Sequence, residues 1–384
     1  MADRLPHVIQ LTAPGRGALA TLRVEGPGAL EIIAVHFLSR SHYADQRRPM
    51  LRIGARSVPD GARPLGSFAP DRLIVGRFGG SQGEEVVLRR ASDEAVEIHC
   101  HGGPAAIARI EQLLVQSGCR PLEWQQWVAR QESDPTVAAA RIALAEARTA
   151  RTAAILLDQY RGALGRALHE IEAALARGQT AAARQTLAAL RATAPVGRHL
   201  IQPWQVVVAG PPNVGKSSLV NALAGYPRAI VHRAPGTTRD AVTAEIVLDG
   251  WPVELCDTAG LRDAGDAVER AGVELAGRRM AQADLILLVF DHSRPWSVTD
   301  EAVRGARPAA LLVNNKSDLP AADGPRPSGL AVSAVQGEGI DTLSKLITER
   351  LVPRPPLPGE AVPFTQAQIE QIDDWLRELG PAQD

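Results

Sequence analysis

The run Gly210-Pro-Pro-Asn-Val-Gly215-Lys216-Ser217 carries the residue types and spacing best suited to chemistry in this chain. It fits the pattern G-x-x-x-x-G-K-S/T, and it lies between an apolar strand, Val206–Ala209, and an apolar helical stretch, Leu219 to Leu223. In that setting Gly210 and Gly215 let the backbone curl. The N–H groups through Asn213, Val214, Gly215, Lys216, Ser217 and Ser218 can then surround a β-phosphate at a helix N-terminus. Lys216 adds a compact charge for the β and γ oxygens. Only three of the 42 basic residues are lysine (Lys216, Lys316 and Lys345), so a lysine here marks a place where a planar guanidinium would fit badly. The Ser217 hydroxyl is a hard oxygen donor suited to Mg²⁺.

Two further segments complete the phosphate chemistry. Asp257-Thr258-Ala259-Gly260 ends the strand Val253–Cys256. An acid there can hold Mg²⁺ through water, and the Gly260 N–H can sense a γ-phosphate. Gly236, Thr237, Thr238, Arg239 and Asp240 lie between the phosphate loop and the next strand, and they read as a switch loop whose Thr238 hydroxyl completes the Mg²⁺ shell. The base is read by Asn315-Lys316-Ser317-Asp318 after the strand Ala309–Val313. The Asp318 carboxylate can accept from guanine N1–H and N2–H₂ together, a pair adenine does not offer. The Lys316 stem can lie across the base, and Ser333-Ala334 can present a backbone N–H to guanine O6. These residues point to GTP. Lys345 reads as surface.

Hydrolysis needs an oriented water. Enzymes that orient it with a glutamine place that residue just after the Asp-x-x-Gly motif. Here the position is Leu261, which cannot polarise water. Glu269, further along, either orients water or is a plain helix-surface glutamate. Arg239 and Arg262 either stabilise charge or brace structure.

The elements that must position these groups follow from pattern and composition. With 384 residues and 45% hydrophobic content, the chain is long enough for two or three domains with real cores. A formal net charge of −1 argues against a nucleic-acid-coating protein. No apolar run is long enough to span a bilayer, the start lacks a secretory pattern, and three cysteines make no disulfide framework. A reduced, cytoplasmic protein is expected. Short apolar strands over 8–11, 19–24, 73–75, 86–88 and 95–99, with a helix over 107–116, predict an α+β domain over residues 1–118. Leu164, Leu168, Ile171 and Leu175 recur at helical spacing in a stretch where arginine outnumbers acid; that surface is either simply solvated or an RNA-binding face. Gly178 and Pro195 are expected helix breaks. Strands alternating with helices from Gln205 onward predict a mostly parallel sheet with helices on both faces, over 201–354. A proline-rich linker then leads to a last amphipathic helix near Gln366 to Leu379. Helical stretches over 119–200 and 355–384 flank that sheet region. The fold class is therefore multidomain α/β.

The segments GPPNVGKSSLVNALAG, APGTTRDAV, DTAGLRDAGDAVERAG and NKSDL resemble the tRNA-modification GTPases of the MnmE/TrmE family. LTAPGRGALATLRVEGPGA and EIHCHGGP resemble the N-terminal domain of that family, and the resemblance implies that 119–200 with 355–384 form one helical domain into which the P-loop GTPase domain is inserted. The resemblance implies a K⁺ ion on Asn213 in place of an arginine finger, Glu269 as the catalytic glutamate, and GTPase domains that meet across their nucleotides. It implies homodimerisation through an N-terminal domain that binds 5-formyl-tetrahydrofolate, with Arg23 and Glu97 on the folate-contacting positions. It also implies an FAD-dependent partner and tRNA, modified at C5 of the wobble uridine, with no membrane association. The family's C-terminal Cys-x-Gly-Lys motif has no counterpart here, and no lysine precedes Lys216. The chain therefore reads as a shortened member, and the alternative expectation is a GTP-driven conformational switch that serves another partner and modifies no tRNA.

Overall fold

A computed structural model describes residues 5–15, 17–39, 50–53, 56–59, 69–225, 243–257 and 277–380. The chain divides into two units, Met1–Ser133 and Asp134–Asp384.

The first unit contains β1 (His7–Gln10), β2 (Leu19–Glu25), α1 (Ala29–His36), β3 (Phe37–Ser39), β4 (Met50–Ile53), β5 (Arg56–Pro59), β6 (Leu73–Phe78), β7 (Glu84–Ser92), β8 (Ala95–His101), α2 (Pro104–Gln116), β9 (Arg120–Pro121) and α3 (Trp124–Gln131). A seven-stranded sheet runs in the order β3-β6-β7-β8-β2-β1-β9, and β4 pairs with β5 in a separate two-stranded sheet. Strand alternation decides its faces. Ala20, Leu22, Val24, Val86, Leu88, Val96, Ile98 and Cys100 point to one side and are buried with Ile33 of α1 and Ile107, Ile110 and Leu114 of α2. Thr21, Arg23, Arg89, Glu97 and His99 point to the other. The register places Arg23 opposite Glu97 and Glu97 opposite Arg89 across three strands.

The second unit begins with four helices: α4 (Pro135–Glu146), α5 (Ala150–Tyr160), α6 (Ala163–Ala176) and α7 (Thr180–Arg198). Gly178, in the left-handed region at φ 71°, separates α6 from α7 as expected. Pro195 does not break α7, which corrects the expectation from sequence. The proline falls in the last turn, and Leu187, Leu190 and Ala194 are buried on the same helix, so packing overrides local propensity.

The sheet region follows with β10 (Trp204–Ala209), α8 (Lys216–Ala224), β11 (Thr243–Leu248), β12 (Trp251–Asp257), β13 (Leu285–Asp291), α9 (Val298–Gly305), β14 (Leu311–Asn315), β15 (Leu330–Val332) and α10 (Ile340–Leu351). Six strands run in the order β11-β12-β10-β13-β14-β15. Only the edge pair β11–β12 is antiparallel. Leu219 and Leu223 of α8 and Leu343 and Ile347 of α10 cover one face, and they belong to the same buried cluster as Leu164, Leu187 and Leu190 of the helices. Trp296 and Val303 cover the other face over Leu288 and Phe290. This is the two-sided α/β arrangement expected from the sequence.

Two contacts fasten the helices to the sheet. The β11–β12 hairpin turns through Asp249 (φ 47°) and Gly250 (φ 80°), the left-handed pair of a tight two-residue turn. The Thr149 hydroxyl donates to the Gly250 carbonyl at 2.6 Å, and Arg151 donates to Asp249 at 3.0 Å. Beyond α10, Gln159 bonds the backbone at Glu360 and Val362 and draws the chain back to α11 (Gln366–Glu378). There Asp373 accepts from Arg191 of α7 at 2.6 Å. Among the described residues, no helix is long and apolar enough to cross a membrane.

Candidate nucleotide site

Parallel strands end together, so the six-stranded sheet brings its carboxyl ends to one rim. Val208 of β10 lies beside Asp257 of β12, and Asp291 of β13 lies beside Asn315 of β14. Ligands of open α/β sheets bind at such a rim.

The phosphate loop joins β10 to α8. Gly210 has φ 146°, and a Cβ there would collide with the Val289 carbonyl. Gly215, at φ 90°, is the N-cap of α8 and has no side chain to cap the helix. Asn213 is also left-handed at φ 64° and is exposed. Successive N–H groups therefore have no capping side chain to compete with an anion, and the helix dipole favours negative charge there. Lys216 is buried, with 7% relative exposure. Its Nζ donates to the carbonyls of Pro211 at 2.8 Å and Gly210 at 3.2 Å.

Ser217 donates to the carboxylate of Asp257, which is buried at the end of β12. A hydroxyl and a buried carboxylate in contact are two hard oxygen donors, the set that Mg²⁺ takes.

The guanine loop is tied to the phosphate loop from below. Asn315 is buried, donates to the Val214 carbonyl at 2.9 Å and accepts from the Ala334 N–H at 3.1 Å. The Ser333 hydroxyl donates to Asp318 at 2.6 Å and steadies an otherwise exposed carboxylate. Lys316 sits at φ 67°, a strained conformation for a side chain with a Cβ. Its Nζ donates to the Asn213 carbonyl at 2.9 Å and to Asp291 at 2.7 Å.

Asp291 is a residue that motif reading passes over. Burial alone would raise its pKa, but bonds from Lys316 and Ser293 outweigh that and hold the carboxyl below the ordinary aspartate range. The available signal is an acid closing the apolar run Leu285–Phe290, one strand away from Asn315.

Gly236, Thr237, Thr238, Arg239, Asp240, Gly260, Leu261, Arg262 and Glu269 lie outside the described residues. Arg23 and Glu97 belong to the first unit and meet each other at 3.2 Å. Glu97 also accepts two bonds from Arg89, at 2.8 and 3.0 Å, which hold its carboxyl below the usual range against the opposing effect of burial. Arg23 donates to Glu25 at 2.5 Å and stacks over Trp127 of α3 at 5.4 Å. Neither Arg89 nor Trp127 was singled out from sequence, because only register and packing bring them to this row. Lys345 pairs with Asp341 one helical turn away at 3.0 Å and is surface, as expected.

A glycine-curled loop at a helix N-terminus, a buried acid beside its serine, and an Asn-Lys-x-Asp loop at the neighbouring strand ends together make a P-loop GTP hydrolase. Family comparison agrees. Residues 205–316 match the family described as 50S ribosome-binding GTPase, and residues 8–124 match the GTP-binding protein TrmE N-terminus. The chain is 34% identical to the tRNA modification GTPase MnmE of a Synechococcus species, over 91% of this chain and 82% of that one. It is also 34% identical to the MnmE of Thermus thermophilus, over 94% of this chain and 85% of that one. The chain belongs to the tRNA-modification GTPase family.

Proposed function

We propose that this protein hydrolyses GTP in the service of tRNA wobble-uridine C5 modification, with K⁺ stimulating turnover as two GTPase domains meet. The observation that carries this reading is the 34% identity to relatives named tRNA modification GTPase, which spans both units rather than the nucleotide loops alone. The reading includes a cytoplasmic homodimer, an FAD-dependent partner and tRNA. Its domain plan is 1–118, 201–354, and a helical domain of 119–200 with 355–384.

In the proposed mechanism Lys216 leaves the loop carbonyls for the β and γ oxygens, and the N–H groups of Asn213 to Ser218 and Gly260 hold the phosphates. Ser217 and Thr238, with Asp257 through water, would hold a Mg²⁺ ion, and that ion would supply positive charge against the β and γ oxygens. Asn213 would hold a K⁺ ion, which would supply the positive charge that an arginine finger gives in other enzymes. Leu261 excludes the usual water-orienting glutamine, so Glu269 takes the task, directly or through a bridging water. Asn315, Lys316, Asp318, Ser333 and Ala334 read guanine. A folate at Arg23 and Glu97 would have to compete with Arg89 and Glu25, so 5-formyl-tetrahydrofolate stays outside the proposal.

Nucleoside mass spectrometry of tRNA from a deletion strain tests the pathway. Loss of the C5-modified wobble uridine is expected. An unchanged nucleoside profile, with no second gene covering, rejects this reading and leaves the conformational switch. GTP turnover in KCl against NaCl tests the mechanism: equal rates, with a harmless Glu269→Ala, remove Asn213 and Glu269 from it.

A further inference from the structure

We infer that Asp291 is a positioning residue for guanine nucleotides, one that acts by holding Lys316 between the guanine loop and the phosphate loop. It sits on the last residue of β13, is 6% exposed, and lies in register beside Asn315. Its two carboxylate oxygens have separate partners. Oδ2 accepts from Lys316 Nζ at 2.7 Å. Oδ1 accepts from the Ser293 N–H at 2.9 Å and from the Ser293 hydroxyl at 2.7 Å. The Ser293 pair fixes the carboxylate rotamer, so Oδ2 is aimed rather than merely near.

What Oδ2 holds is a lysine that needs holding. A left-handed Lys316 is disfavoured on its own and persists only when its surroundings over-determine it. Asp291 supplies one anchor and the Asn213 carbonyl the other. Asn213 is itself left-handed, so one ammonium ties two strained loop residues together. One of these loops contacts the base and the other the phosphates. Arg326 braces the same corner from outside, donating to the Asn314 side chain at 3.3 Å and to the Asp291 carbonyl at 3.1 Å. The exposed Arg294 approaches Oδ2 only to 3.8 Å. Among the described residues Lys316 is thus the close cation on this carboxylate, and truncating one member of such a charge pair leaves the other uncompensated. Asp291 has no place against the base itself; its effect passes through Lys316.

The test uses the full chain and the dissociation of a fluorescent N-methylanthraniloyl GDP, together with steady-state GTP hydrolysis. Asp291→Asn keeps the shape and removes the charge. It is expected to speed dissociation by about tenfold or more, and to raise KM for GTP by more than it lowers kcat. In a Lys316→Met background the same substitution should change dissociation by less than about twofold, because a residue acting through a partner is non-additive with it. Dissociation as slow as in the parent overturns the proposal. So does an Asp291→Asn effect that persists in full in the Lys316→Met background, or a fall in kcat with KM unchanged. Should Asp291→Asn lower the thermal transition of the nucleotide-free protein, Ser293→Ala serves instead. It loosens the rotamer while leaving the backbone bond, and it should speed dissociation about two- to fivefold only where Lys316 is present. Parent-like dissociation in Ser293→Ala, or acceleration without Lys316, overturns the proposal as well.

Discussion

In the seven-stranded sheet, Asp71, Arg89, Glu97, Arg23 and Glu25 run as a row of alternating charge across the face opposite the core, each bonded to the next. At the rim of the six-stranded sheet the charges are fewer and deeper. Lys216, Asp257 and Asp291 are buried: Lys216 bonds phosphate-loop carbonyls, Asp257 accepts from Ser217 at the start of α8, and Asp291 accepts from Ser293 and Lys316. The first arrangement shares its charge along a chain of partly exposed partners, where a single pair is worth about 0–1 kcal/mol. In the second, Asp291 pairs with Lys316, and removing one member of such a pair strands a buried charge, at about 3–5 kcal/mol. The lesson is one of redundancy. A sheet face tolerates the loss of one member, whereas a strand-end rim does not.

The contrast can be broken most sharply at Lys216. Lys216→Ala should lower kcat/KM for GTP on the order of 10²–10³-fold, and Lys216→Arg should not restore it, because the loop's curl has no room for a planar guanidinium. GTP turnover at sub-saturating substrate measures this. Recovery by arginine would show that charge alone suffices.

A smaller effect is expected in the first unit. Glu97→Gln should cost about 1 kcal/mol in urea unfolding followed by a first-unit probe such as Trp127, since Arg23 keeps Glu25 and Arg89 keeps Asp71. The folded Glu97 pKa lies below the ordinary 4.5, so its contribution is present above that value and is lost as the pH falls through the lowered one. The substitution should therefore flatten the acid limb of the stability curve of that unit. An unchanged limb would mean the row carries no net charge energy.

The smallest signal sharpens the comparison from the core side. Burial raises the thiols of Cys100 and Cys256, and it pushes Cys119 up to about 11. Thiol reagents at pH 8 should leave all three cysteines slow in the native protein and fast after denaturation. Rapid native labelling of Cys119 would show that the first unit opens locally.

Much of the site was legible because its motifs are contiguous. The loop from Gly210 to Ser217 needs glycine at φ values other residues avoid, and the sequence displays that need directly. The strands that end at Asp257 and Asn315 announce themselves as apolar runs closed by polar residues. Asp291 ends such a run too, yet no neighbour in sequence gives it a task. Its partner Lys316 lies one strand away, and Lys316 in turn reaches Asn213 in the phosphate loop. Arg89 and Trp127 escaped notice for the same reason, and Pro195 misled because a proline in a last turn is harmless once packing holds the helix.

By itself, then, the amino-acid sequence determined the ligand class and the local backbone that serves it. Chain order, glycine placement and short-range periodicity are local properties, and they are enough to specify a phosphate loop and a guanine loop. The tertiary structure decided which distant side chains complete those loops. Strand order brings β13 between β10 and β14, parallel register aligns Asp291 with Asn315, and burial turns the pairing of Asp291 with Lys316 from a weak surface contact into one that holds a strained lysine in place. Register and burial arise only when the chain closes on itself, so no run of residues carries them alone.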